Sequence, residues 1–241
     1  MNKTNFGKKI VASKTKKILI KKLFNSASKQ YDLMNDLMSF GLHRVWKKDL
    51  VNKIKGTKPS VILDLAGGTG DISFLLSKKF SDSSIIIYDL SYNMMLYSRK
   101  KNIGDNISYI NGSAEQMAIE DNCIDLITLS FGLRNFSNIE KAIKECYRIL
   151  KYGGKIYCLE FSPSYNKSIK SLYDIYSDKV IPKIGKIVAK NQDAYQYLVD
   201  SIQTFPQNPE LKNIFNKIGF FCYSETRYLG GIAILNIFSK V

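Results

Sequence analysis

A chain of 241 residues, 45% hydrophobic with five prolines, is long enough to bury one sizeable core, and length alone leaves one or two domains open. Its formal charge is +15, it has no stretch near the roughly 20 continuous apolar residues of a membrane-spanning helix, and Met1 to Lys22 lacks the apolar centre of a secretory signal, so a soluble protein kept inside the cell is expected. Cys123, Cys146, Cys158 and Cys222 lie far apart with no CxxC pair, which points to core thiols and indicates neither a zinc site nor a redox motif; no metal is expected.

Residues 14–55 carry helical periodicity with a break at "MSFGLH", which predicts a basic helical segment over 1–58 ahead of a main domain over 59–241. Residues 1–58 hold 15 Lys or Arg against three Asp, a local charge of +12, whereas the other 183 residues carry +3. Such a field attracts nucleic acid or anionic lipid. Lys also outnumbers Arg 31 to 5 in a chain rich in Ile and Asn, so a compositional bias of the coding sequence accounts for the lysine count equally well. That bias would spread the lysines instead of gathering them in one quarter of the chain. His43 is the only histidine; its near-neutral intrinsic pKa suits proton abstraction, and packing or capping explains it as readily.

"SVILDLAGGTGDISFLLSKKF" reads strand, glycine turn, helix, and "SIIIYDLSYNMMLYSRKK" repeats strand then helix. "CIDLITLSFG" is a third strand. In "SNIEKAIKECYRILKYGG" the apolar positions follow helical spacing, with Ser137 and Glu140 as a capping box and Gly153 as the stop. "KIYCLEFS" is a fourth strand, residues 163–207 form an insertion, and "FFCYSETRY" and "GIAILNIFS" are separated by a connection too short for a crossover, so they pair antiparallel. This alternation predicts a doubly wound, mainly parallel sheet closed by one reversed strand, an architecture that fits a methyltransferase better than a dinucleotide dehydrogenase.

Three stretches carry chemistry. In "DLAGGTGD" (64–71), Gly67, Gly68 and Gly70 permit close backbone approach at a helix N-terminus and Thr69 offers a hydroxyl, while Asp89, 21 residues beyond Gly68, suits the two hydroxyls of a ribose. The Ser113-Ala114-Glu115 turn suits an adenine edge and separates S-adenosylmethionine from a dinucleotide. "FGLRN" (131–135) places Arg134 at the carboxyl end of a strand beside Ser130, where a charge faces a ligand crevice; an ion pair with a helix carboxylate such as Glu140 is the structural alternative.

Through "YDLMNDLMSFGLHRVWK" (31–47), "LDLAGGTGD" (63–71), "SFGLRN" (130–135), "LEFS" (159–162) and "YQYLVDSIQTFP" (195–206), the chain resembles, nearly end to end, the bacterial ubiquinone and menaquinone biosynthesis C-methyltransferase family, whose mitochondrial relatives serve coenzyme Q synthesis. The resemblance implies a class I, Rossmann-like fold with a seven-stranded sheet and helices on both faces. It implies S-adenosyl-L-methionine at Thr69, Asp89, Ser113, Ala114 and Ser130, to which the glycine turn adds Asp64, Gly67, Gly68 and Gly70. The implied substrate is a membrane-embedded polyprenyl benzoquinol or demethylmenaquinol, with Tyr31, Asn35 and Asn135 as its contacts and the 163–207 insertion either lining a channel for its tail or forming plain core. Tyr31, Asp32, Met34 and Asn35 belong to a segment expected to close over the site. Two departures stand out: Ala118 where the family tends to have proline, and Phe136-Ser137-Asn138 where Thr-Asp usually follows "RN".

For such a substrate, loss of a hydroxyl proton makes the ortho ring carbon nucleophilic, and Arg134 is the residue expected to hold the resulting phenolate. His43 is the second catalytic candidate. Expected surroundings are the anionic inner face of a cytoplasmic membrane or, alternatively, the mitochondrial inner membrane, with a quinone-biosynthesis complex and a homodimer as further partners. A cofactor-binding scaffold is a competing reading, against which intact Asp64, Asp89 and Arg134 argue. Nucleic acid is not an expected substrate: the Asn-Pro-Pro-aromatic element of amino-methylating enzymes is missing, and no Cys follows a Pro as cytosine C5 enzymes require.

Overall fold

Consecutive apolar residues along the central strands, such as Ile62-Leu63 and Leu126-Ile127, demand burial on both faces of a sheet, and the chain provides it. The computed structural model describes residues 3–27, 35–36, 39, 41–101, 104–163 and 192–241. Its elements run β1 (Lys3–Phe6), β2 (Lys9–Ala12), α1 (Ser13–Ala27), α2 (His43–Asn52), β3 (Val61–Leu65), α3 (Asp71–Lys79), β4 (Ser84–Asp89), α4 (Tyr92–Lys100), β5 (Ile107–Asn111) and β6 (Ile124–Ser130). They continue with a 3-10 turn at Leu133–Asn135, α5 (Ile139–Ile149), β7 (Leu150–Phe161), α6 (Gln192–Gln203), α7 (Asn208–Ile218), β8 (Phe220–Tyr228) and β9 (Ala233–Lys240).

Seven strands form one sheet in the order β5-β4-β3-β6-β7-β9-β8. Every neighbouring pair is parallel except β7 with β9 and β8 with β9, so β9 is the single reversed strand, as expected. One face packs Ile62, Leu126, Tyr157 and Leu235 against Trp46, Leu50, Leu76 and Leu198 of the helices. The other packs Leu63, Ile127, Ile156 and Phe238 against Ile143, Leu211 and Phe215, with the Phe215 and Phe238 rings stacked at 3.8 Å. Burying each such side chain contributes about 1.5–3 kcal/mol.

Four details differ from the sequence reading. The N-terminal segment is not wholly helical: β1 and β2 form an antiparallel hairpin turned at Gly7, whose φ is +58°. Strand β5 has the mixed exposure of a sheet edge and supplies the seventh strand, for which the local pattern gave no sign. Helix α5 is capped by Asn138, whose Oδ1 accepts from the Lys141 amide at 2.8 Å, and not by a Ser137–Glu140 box; Ser137 is occupied by Glu115, and Glu140 pairs with Lys144. That helix stops at Ile149, and Gly153 (φ +76°) instead serves the irregular stretch where the register of β6 against β7 shifts. Of the 163–207 insertion, residues 164–191 lie outside the described residues, while α6 packs into the core through Ala194, Tyr195, Leu198 and Ile202.

Candidate active site

The carboxyl ends of β3, β4, β5 and β6 each end in a turn, and the four turns surround one cavity. Leu65, Ala66 and Gly68 line it after β3, Asp89, Leu90, Ser91 and Met94 after β4, Ser113, Ala114 and Glu115 after β5, and Phe131, Gly132, Asn135, Phe136 and Ser137 after β6. Helix α1 roofs it with Lys17, Ile20, Lys21 and Phe24. That helix is tied down near both ends: buried Lys16 donates to the Arg134 carbonyl at 3.2 Å, and Ser91 Oγ donates to Asn25 Oδ1 at 2.7 Å. Burial lowers the Lys16 pKa to about 8, against the opposing pull of Glu115.

The β3 turn is built by backbone. Ala66 takes a left-handed conformation (φ +55°), and a Cβ on Gly67 would lie 2.9 Å from Asp64 Oδ2, so only glycine fits there. Asp64 does not line the cavity. It is buried beneath the turn, accepting from Ser73 Oγ at 2.6 Å and Thr128 Oγ1 at 2.9 Å, and burial raises its carboxyl to about 6 despite those bonds. Gly67, Thr69 and Gly70 likewise do not line the cavity, and of the turn's three glycines only Gly68 reaches it. Asp71 opens α3 between Lys47 at 3.0 Å and Lys101 at 3.6 Å; burial pushes its carboxyl up, and the lysines outweigh it, leaving the pKa lowered.

Asp89 faces the cavity with both oxygens already oriented: Oδ1 accepts from the Ser91 amide at 2.7 Å and Oδ2 from the Gly68 amide at 2.9 Å. Burial is the main reason its pKa rises to about 6. Glu115 is the hub of the next two turns. One oxygen accepts from Ser137 N, Ser137 Oγ and Asn138 N, the other from Ser113 Oγ, and these bonds outweigh its burial and lower its pKa.

The residues of "FGLRN" each have a separate task. Phe131 adopts φ +56°, stacks on Phe161 at 4.6 Å and turns its carbonyl inward. A Cβ on Gly132 would lie 2.5 Å from Cβ of Ala66, so the two left-handed turns approach each other only through glycine. Leu133 is core. Arg134, 3% exposed, donates from Nη1 to the Phe131 carbonyl at 2.6 Å and to Glu160 Oε1 at 2.6 Å. Its partner is therefore a strand carboxylate, not Glu140. Asn135 reaches the cavity wall, with Nδ2 3.4 Å from the Phe131 carbonyl and Oδ1 3.0 Å from Tyr197 Oη.

Other predicted residues lie elsewhere. Ser130 is not in the cavity wall, and its buried hydroxyl has no hydrogen-bond partner. His43 is fully buried at the start of α2, with Nε2 2.8 Å from Asp36 Oδ1; burial and then Lys47 lower its pKa, so the ring is neutral near pH 7. It does not line the cavity. Asn35 is buried, and its side-chain amide has no hydrogen-bond partner among the described residues; Tyr31, Asp32 and Met34 are outside them. Sequence reasoning passed over Glu160, Lys16, Ile20, Phe24 and Tyr197, although Glu160 and Tyr197 sit inside two of the motifs it quoted. Among the described residues no group of three His, Cys, Asp or Glu side chains is placed to hold a metal, and no helix is long and apolar enough to cross a membrane.

Solved structures share this fold. A SAM-dependent methyltransferase, possible histamine N-methyltransferase, from Thermotoga maritima superposes with a TM-score of 0.67 at 18% identity, covering 92% of this chain and 100% of that one. A putative S-adenosyl-L-methionine-dependent methyltransferase from Methanococcus maripaludis gives 0.58 at 26% identity, covering 100% and 96%. The fold is that of the class I S-adenosylmethionine-dependent methyltransferases. Within that class, residues 10–240 match the ubiE/COQ5 methyltransferase family, and the chain belongs to it. The ubiquinone/menaquinone biosynthesis C-methyltransferase UbiE of Rickettsia bellii (strain OSU 85-389) is 41% identical over 244 residues, covering 98% of each chain. The protein of that name from Blochmanniella floridana is 42% identical over 238 residues, covering 97% of this chain and 94% of its own.

Proposed function

We propose that this methyltransferase moves the methyl group of S-adenosylmethionine to a ring carbon of a polyprenylated benzoquinol, a demethylmenaquinol, or both, in ubiquinone and menaquinone biosynthesis. The observation that carries this reading is the single cavity with Asp89 on one wall and the Asn135 turn on another, roofed by α1. The cavity residues fit a nucleoside-bearing methyl donor. Asp89 accepts the ribose hydroxyls, Gly68 keeps the wall open where a Cβ would come 3.2 Å from Met94, and Leu90, Ala114 and Phe136 give the adenine apolar surfaces. Bound S-adenosylmethionine supplies a methyl group already activated by sulfonium charge.

The protein's task is then to align the quinol and favour its phenolate. Asn135 donates from Nδ2 to the phenolate oxygen of the quinol, whose proton passes to solvent water, and Arg134 sets a positive charge directly behind the same turn. Ile20 and Phe24 of α1 exclude water, which strengthens both interactions. Incubating the protein with labelled S-adenosylmethionine and short-tailed demethylated quinols tests the reading. Label in the quinol fraction is expected, and its absence with every quinol would refute it.

We infer that the enzyme works at a membrane surface, where a substrate with a polyprenyl tail resides. Ile10 and Ile18, 70% and 69% exposed, stand among the exposed Lys9, Lys14, Lys21 and Lys22, a surface suited to peripheral contact with anionic lipid. Salt-sensitive binding to anionic vesicles is expected; equal binding to neutral vesicles, or none to either, would contradict it.

A further inference from the structure

The "FGLRN" turn leaves one question of orientation. An asparagine amide can present either its oxygen or its nitrogen in a given direction, and only the nitrogen can donate to a substrate oxygen. Two neighbours decide the matter at Asn135. The Phe131 carbonyl, 3.4 Å away, can only accept, so it faces Nδ2. Oδ1 then faces Tyr197 Oη at 3.0 Å, and the phenol must donate to it. Burial raises the Tyr197 pKa, so the phenol keeps its proton at every working pH.

Tyr197 is itself held from two sides. It sits on α6 with 6% of its surface exposed, and its ring stacks on Phe6 of the N-terminal hairpin at 4.5 Å. One helical turn on, Asp200 packs against Gly7, where a Cβ would lie 3.0 Å from Asp200 Cβ, and pairs with Lys8 at 3.7 Å. The hairpin and α6 are thereby clasped together around the tyrosine. Tyr197 does not line the cavity; it bonds Asn135, which does, and it lies within the field of Arg134 and Glu160.

We infer that Tyr197 is a positioning residue for methyl transfer: its hydroxyl anchors Oδ1 of the Asn135 amide, whose orientation the Phe131 carbonyl sets through Nδ2, and the docked hairpin holds the tyrosine in place. The inference rests on the reading above, in which Asn135 donates to the quinol oxygen. Without the phenol, Oδ1 loses its donor and the amide is held on this turn by the long bond from Nδ2 to the Phe131 carbonyl, so the donor is less firmly placed against a developing negative charge.

The test compares Tyr197→Phe, Asn135→Ala and the double variant in single-turnover methyl transfer to a short-tailed demethylated quinol, together with cofactor affinity by calorimetry and melting temperature. Loss of one neutral hydrogen bond predicts that Tyr197→Phe is about five- to tenfold slower per folded molecule. Cofactor affinity should change less than about twofold, because no cavity-lining group is touched, and adding Tyr197→Phe to Asn135→Ala should slow transfer less than about twofold further. A structural role alone would lower the melting temperature and slow both backgrounds equally, which overturns the proposal. A slow Asn135→Ala beside a fully active Tyr197→Phe refutes Tyr197 as the positioner. Full activity in Asn135→Ala refutes the donor role on which the proposal stands, and the positioning role with it.

Discussion

The turns after β3 and β6 do neighbouring jobs by different means. Both begin with a non-glycine residue in the left-handed region, Ala66 at φ +55° and Phe131 at φ +56°, and they meet where Gly132 approaches Ala66. Strained backbone of this kind persists only where the surroundings hold it. The β3 turn is held from beneath by Asp64, through Ser73 nine positions on and Thr128 64 positions on, and exposes backbone at the cavity. The β6 turn depends on partners 26 and 62 positions away, Glu160 and Tyr197, and exposes a side chain. Both turns take partners from distant elements; they differ in what they present to the cavity, backbone after β3 and the Asn135 side chain after β6.

Arg134→Ala gives the largest expected effect, because it strands the Glu160 carboxylate in the core. A loss of about 3–5 kcal/mol by chemical denaturation is predicted. Replacing both partners by leucine should restore most of that stability while methyl transfer stays about 100-fold or more below wild type. If the double variant recovers turnover with its stability, the pair is purely structural.

Gly132→Ala probes the contact between the turns. Overpacking against Ala66 should cost about 1–3 kcal/mol and lower both cofactor affinity and turnover, since the added methyl displaces two walls of the cavity at once. A variant that loses one and keeps the other would show that the turns act independently.

Asp89→Ala affects the cofactor side alone, weakening S-adenosylmethionine binding by about tenfold or more in calorimetry. Because the Asp89 pKa is raised to about 6, cofactor affinity should be flat above about pH 7 and fall as the carboxylate takes a proton below about 6. Asp89→Asn should flatten that profile, and Asp64→Asn should not. The sign for stability is opposite. With Asp64 and Asp89 both raised to about 6, the native state binds more protons than the unfolded chain between about pH 4 and 6, so their contribution to stability grows as pH falls through that window.

The legibility of the sequence follows the span over which each feature is encoded. Strand and helix alternation, the reversed last strand, the glycine turn and Asp89 were readable because each is encoded within a short span. The Asn138 cap was not: Ser137 and Asn138 are both competent caps, and Glu115 on another element removes Ser137 from the competition. Strand β5 escaped because an edge strand needs little apolar alternation, and the β1–β2 hairpin because its strands are four residues each and the apolar Ile10 is exposed beside Lys9, which breaks the alternation. That Asp64 supports the turn from beneath while Asp89 faces the cavity depends on which side of the sheet each turns to, information held in the sheet as a whole. The place of "FGLRN" at a strand end brought Arg134 into view and the family resemblance added Asn135, but the ion pair with Glu160 and the bond to Tyr197 exist only once the chain is folded.

The central claim is that this cavity directs a methyl group to carbon. Proton and carbon NMR of the product formed from carbon-13-methyl S-adenosylmethionine and a short-tailed demethylated quinol decides it. The account predicts a single labelled methyl resonance at the shift of a methyl bonded directly to the ring; a methoxy resonance would show that the enzyme transfers to oxygen and would contradict it.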